Sequence, residues 1–210
     1  MKYWPNALTI PVQPYLSLYV FLFILWSIGV VFGSMMVSSL DFLQQQDLFF
    51  FVEQYFQSVQ NESRVWLSDL TDSLWTHGKF LTFIFLFGLS FVGLPVAWFL
   101  LFFKGVVVGF TVGFLVHQLS WQGFFLSLLA IAPQNVLIVA AYLIMTTSSI
   151  VFTLHVLRIL FIKHQSSRTL GEATRHYLKS YVIGIVLVCF GSLVEVSVSF
   201  HALSWMADKL

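Results

Sequence analysis

Charge is what this chain lacks. Of its 210 residues only 9% are Asp, Glu, Lys or Arg, against about 25% in an ordinary soluble domain, so the chain has too little polar surface to stay wet on its own. The balance is equally bare, at a net charge of +1, which excludes the basic footprint of a nucleic-acid binder. Cysteine is reduced to Cys189. A single cysteine makes no intrachain disulfide, and no Cys or His spacing matches a zinc site. The short signatures of catalysis are missing too. There is no H-E-x-x-H and no Walker A sequence, and Gly88-Leu89-Ser90-Phe91-Val92 fails the G-x-S-x-G pattern at its last position. No aspartate lies deep in an apolar run. The expectation is a protein that is not an enzyme and uses neither cofactor nor metal.

What is present is hydrophobic length. The chain is 59% hydrophobic with a mean hydropathy of +0.89. Several stretches exceed the roughly 20 apolar residues that cross a bilayer core, and none alternates with the period of a membrane β-strand. The fold class that follows is all-α: a polytopic integral membrane helical bundle of about five spans, with a broken or re-entrant fourth element. The first apolar run is too long for the apolar core of a cleaved signal and has no small-residue cleavage site, so it reads as a retained span.

Span 1 is expected over residues 15–37. Residues 38–78 are polar, with Asp41, Asp47, Glu53, Glu62, Asp69 and Asp72 against Arg64 alone. Within them Leu48, Val52, Tyr55 and Val59 repeat at helical spacing, and Asp41 suits an N-cap. This segment reads as short amphipathic helices on the membrane surface or against the bundle, with partner docking on Leu48, Val52 and Tyr55 as the alternative. Span 2 follows at 80–103, interrupted by Gly93, Leu94 and Pro95, where proline removes a backbone donor. Lys104 reads as a tight turn or an interfacial charge. Span 3 covers 105–119 and ends at Trp121, a residue at home in the interface.

Residues 123–162 form the longest apolar stretch. As one straight helix it would reach about 60 Å, twice the bilayer core of about 30 Å, so it must break, and Pro133 marks the place. The following segment, 163–179, carries Lys163, Arg168, Arg175 and Lys179 against Glu172, with Arg158 just before it. The positive-inside rule makes it cytoplasmic. A single crossing through 123–162 then gives a cytoplasmic N-terminus, an extracytoplasmic acidic segment, and a last span at 180–202 ending outside. Two full crossings in 123–162 would put the basic segment on the wrong side.

Three sets of residues stand out. Gly105, Gly109 and Gly113 recur every fourth position, placing bare backbone on one helix face where a second helix can come close. Whether that face packs within one chain or between copies in a homo-oligomer stays open at this stage, with packing inside the chain favoured. Gln134, Asn135 and Glu195 are intramembrane polar groups, which are functional candidates by default. Amide-to-carboxyl hydrogen bonds between them are feasible. As internal glue they would satisfy a broken helix; as a site they would mark a small transporter or channel at the break near Pro133. His117, His155 and His201 lie far apart and read as interface packing.

Taken in order, Gly29 and Gly33, Ser39-Leu40, Asp47-Leu48, the Phe103-Lys104-Gly105 to Gly109-Phe110 run and Ala132-Pro133-Gln134-Asn135 resemble the stage II sporulation protein M family over nearly the whole chain. Broader relatives carry a Leu-Pro-His-Gly type sequence at the break with an acidic residue soon after. This chain has neither, so no ionisable site is carried over to Gln134 or Asn135. The resemblance implies a non-enzymatic scaffold that anchors and localises peptidoglycan hydrolases, the stage II sporulation proteins D and P, at the septal and engulfing membrane during endospore formation.

Overall fold

The computed structural model describes residues 15–61, 66–91, 93–161 and 167–207, with the side chains of 52, 53, 55–61, 160, 167–169 and 199–207 outside the description. The described residues form six helices: α1 Leu16–Ser38, α2 Phe42–Asn61, α3 Trp66–Gly88, α4 Gly93–Ala130, α5 Ala132–Phe161 and α6 Ser167–Ala207. Four of them, α1, α4, α5 and α6, are long and apolar enough to cross a membrane. Their scattered hydroxyls are satisfied locally: Ser27, Thr111 and Ser127 each donate to the carbonyl one turn back, which is how apolar helices tolerate Ser and Thr in lipid.

Residue pairings give the direction of each helix. Trp26 lies against Gly105 and Ser34 against Gly113, so α1 and α4 run parallel. Along α3, His77 meets Tyr142 and Gly88 meets Thr153, so α3 and α5 also run parallel. Ser73 meets Glu195 while Phe85 meets Tyr177, so α6 runs against them. The turn after Gly88 reverses α3 into α4. Thus α1, α3, α4, α5 and α6 alternate up and down, and the N-terminal ends of α1, α4 and α6 share one end of the bundle with the C-terminal ends of α3 and α5. The core between α3, α5 and α6 is built from Leu81, Ile84, Ile138, Ala141, Tyr142, Met145 and Tyr177.

α3 revises the expected boundaries. Residues 66–78, expected as amphipathic helix on the membrane surface or against the bundle, open a helix that packs along α5 and α6. Its 23 residues rise about 34 Å, but α3 is not among the four helices apolar enough to cross a membrane. The expected span at 80–103 is accordingly split. α3 stops at Gly88, residues 89–91 turn, and α4 begins at Gly93. A Cβ on Gly93 would collide with the Phe87 backbone, and Pro95 sits in the first helical turn, where a missing N–H costs nothing. The exposed carbonyls at the end of α3 are met from neighbouring helices: Thr153 donates to Gly88 O at 2.8 Å and Tyr177 to Phe85 O at 2.7 Å.

Lys104 is therefore no turn. It lies inside α4, which continues to Ser120, where φ is 50° and the helix bends. Gly123 there closes onto Leu115, a contact that a straight helix would hold about 12 Å apart. The arm after the bend buries Gly123, Leu126 and Ser127 and exposes Trp121, Phe125 and Leu129. It reaches α5 through Ile131, so residues 132–161 form one unbroken helix with Pro133 in its first turn. At the other junction, Gln44 Oε1 accepts the Asp41 N–H at 3.1 Å, a capping-box contact that starts α2.

Candidate functional site

The glycines of α4 face α1. Gly29 and Gly33 on α1 and Gly105 and Gly109 on α4 are all buried, and each lies against the partner helix's backbone: Gly29 on Phe102 and Val106, Gly33 on Val106 and Phe110, Gly105 on Trp26 and Val30, Gly109 on Val30. Gly113 rests on Ser34. The seam is thus reciprocal, small residue to backbone on both sides. It joins two helices of a single chain.

Glu195 does not meet Gln134 or Asn135. Asn135 Nδ2 donates to Ile131 O at 2.8 Å, closing the break before α5, and the buried Gln134 Oε1 has no partner among the described residues. The Glu195 carboxylate turns to α3 instead. Its Oε2 accepts from Ser73 Oγ at 2.5 Å and lies 3.3 Å from His77 Nε2. The other ring nitrogen, His77 Nδ1, is 3.0 Å from the Tyr142 hydroxyl. With the Nε2 proton directed at the carboxylate, Nδ1 is left to accept the Tyr142 proton. Lys104 completes the group from α4, its Nζ 5.9 Å over the Tyr142 ring. Four helices therefore converge on one polar cluster of Ser73, His77, Lys104, Tyr142 and Glu195.

Sequence reasoning found only Glu195 of these five as a buried polar group. Ser73 and His77 fell in a segment read as exported, and Lys104 was assigned to a boundary. The missed signal was their spacing: Ser73 and His77 are one turn apart on one helix face. The cluster is sealed below by an aromatic stack, with Phe85 4.4 Å from Tyr181 and 4.9 Å from Tyr177, and Tyr177 4.7 Å from Phe152. Among the described residues, no group of three His, Cys, Asp or Glu side chains could hold a metal ion.

Lys104 makes no hydrogen bond or close ion pair among the described residues, so its charge is held by the Tyr142 face and the field of Glu195. Removing it gives up that attraction and relieves its desolvation, two effects that oppose each other. Lys104→Met is expected to change stability by no more than about 1 kcal/mol, measured by unfolding in mixed micelles. A loss several times larger would mean that the ammonium has a direct acceptor.

α2 stands apart from this core, and its main contact among the described residues is with α6. Phe42, Leu43, Phe50 and Phe51 are exposed on it, and Leu48 is half-buried. Val52 and Tyr55 lie outside the described side chains.

A family model described as Stage II sporulation protein M matches residues 21–200. The chain belongs to the stage II sporulation protein M family. The match takes in the whole glycine seam and every member of the polar cluster, and it is the family that the glycine run and the Ala132-Pro133 break pointed to. This is a membrane protein of a sporulation-related family. No curated protein and no solved structure matches it.

Proposed function

We propose that this stage II sporulation M protein is a non-enzymatic membrane scaffold. It anchors peptidoglycan hydrolases, the stage II sporulation proteins D and P, and localises them at the septal and engulfing membrane during endospore formation. The observation that carries the reading is α2: a helix held off the bundle with Phe42, Leu43, Phe50 and Phe51 exposed, a patch of the kind that marks protein contact. The helix directions support its side. The bundle end shared by α1, α4 and α6 N-termini carries exposed Arg158, Arg175 and Lys179. By the positive-inside rule that end is cytoplasmic. α2 then lies outside with the wall and the C-terminus, and the N-terminus lies within. The glycine seam suits the role, because backbone-to-backbone packing gives a rigid base for a docking arm.

The test is to replace Phe42, Leu43, Phe50 and Phe51 together with serine. Fluorescently tagged hydrolases are expected to lose their septal focus at least fivefold, while the amount of membrane-inserted scaffold stays unchanged, since α2 contributes almost nothing to the core. Retention of the focus, with Leu48, Val52 and Tyr55 also replaced, would remove α2 as the docking element.

A further inference from the structure

One face of α6 changes character along its length. Val182, Val186, Phe190 and Leu193 recur at helical spacing and all are exposed. No charged residue interrupts positions 180–194, so this face looks out onto lipid. Followed back towards the N-terminus of α6, the same stripe carries Lys179 and then Arg175, one turn apart and both exposed. Leu178, beside them, is exposed as well. α5 adds a third cation at this end. Phe152 stacks on Tyr177 with ring centroids 4.7 Å apart, and Arg158 and Arg175 both lie beyond that stack, by about 9 Å and 3 Å along their helices. Arg158 is exposed between exposed Leu154 and Phe161. Each cation therefore has exposed apolar neighbours within a turn of it. The one acid in residues 158–179 is Glu172, on the stripe one turn beyond Arg175.

We propose that Arg175, Lys179 and Arg158 form a site for the headgroup of an anionic phospholipid. The order of groups on the stripe is the order of groups in such a lipid: phosphate against Arg175 and Lys179, acyl chains along Val182 and Val186. Lysine and arginine at this position lay their apolar stems on the acyl region while their charged heads reach the phosphates. Each cation near an anionic bilayer surface is worth about a fivefold gain in binding. A zwitterionic lipid brings the same phosphate with a choline cation beside it, so the site favours headgroups of net negative charge. An acidic soluble protein fits less well, because the cations sit among exposed leucine, valine and phenylalanine at the foot of a lipid-facing stripe. The site lies at the opposite end of the bundle from α2 and holds whether or not α2 docks a hydrolase.

The test reconstitutes the full-length protein in vesicles of equal parts phosphatidylglycerol and phosphatidylcholine, extracts it in mild detergent and counts bound phospholipid by native mass spectrometry. Phosphatidylglycerol is expected to be enriched about fivefold or more. Arg175→Gln with Lys179→Gln should remove most of that enrichment, and Arg158→Gln in addition should remove the rest. These exposed positions leave the core untouched, so the glutamine variants should unfold in zwitterionic micelles at the temperature of the unaltered protein. Arg175→Lys, which keeps the charge, should hold the enrichment, and Glu172→Gln, which removes the neighbouring acid, should raise it. Equal retention of the two lipids by the unaltered protein, an enrichment that survives the triple substitution, or one that falls in Glu172→Gln overturns the proposal. So does displacement of the bound lipid by inorganic phosphate or by poly-glutamate beyond that caused by chloride at equal ionic strength. Those results would assign the cations to a soluble anion or to an acidic protein.

Discussion

Gly109→Leu is expected to leave no stably folded bundle. The added side chain has to fit where the Val30 carbonyl of α1 already lies. Backbone on a packed helix cannot rotate away as a side chain can. Overpacking in a core costs about 1–3 kcal/mol and sometimes more, and here the whole α1–α4 seam must part to accept it, so the upper end applies. Gly33→Leu should do the same from the other side, because a side chain there meets Val106 O and Phe110 N. The paired controls are Gly171→Ala and Gly78→Ala. A Cβ at either meets no atom within 4 Å among the described residues, and removing a glycine from a helix should gain about 0.5–1 kcal/mol. Thermal unfolding in mixed micelles reads all four. If Gly109→Leu unfolds within a degree or two of the unaltered protein, the two helices are not joined as described.

Glu195→Ala ranks second in expected effect. It strands two donors at once, Ser73 Oγ and His77 Nε2, and leaves His77 holding only Tyr142. Removing one partner of a fully buried charged pair costs about 3–5 kcal/mol. The Glu195 side chain is 29% exposed, so solvent offsets part of the loss, and about 2 kcal/mol is expected. Glu195→Gln keeps an acceptor for Ser73 and should cost half as much or less. Coupling is the sharper reading. In a His77→Leu, Ser73→Ala background the same Glu195→Ala change should cost about 1–2 kcal/mol less, because the groups it would strand are gone. An identical cost in both backgrounds would show that Glu195 acts through other residues.

How far the chain could be read in advance depended on whether each signal was local. The α1–α4 seam was legible because its cause is periodic: small residues every fourth position on each helix, which have one common use in lipid. A break near Pro133 was legible because proline is a local signal, although the sharp bend falls earlier, at Ser120, and Pro133 opens α5. α3 was not. Ser73, His77 and Lys79 lower its hydropathy until it resembles an exposed segment, and what holds its polar face against the bundle is a carboxylate on α6, remote in sequence. Lys104 misled in the opposite direction. A charge ending an apolar run ordinarily marks the membrane boundary, whereas here the boundary is the turn before Gly93 and the charge lies inside the bundle. A contact from Asn135 to Glu195 looked feasible, but the Asn135 side chain joins its own backbone N–H on the Ile131 carbonyl one turn back, and the nearer acceptor wins.

The central claim is that this bundle holds wall hydrolases, and co-purification tests it most directly. Full-length tagged protein would be drawn from sporulating cells in mild detergent and its companions identified by mass spectrometry, beside a version in which only residues 42–61 are replaced by a flexible linker. Replacing 38–78 would not serve, because it removes Ser73 and His77 from the cluster. The account predicts that stage II sporulation proteins D and P accompany the unaltered protein and are lost with α2, while both versions stay folded. Recovery of a folded bundle with no hydrolase would contradict it.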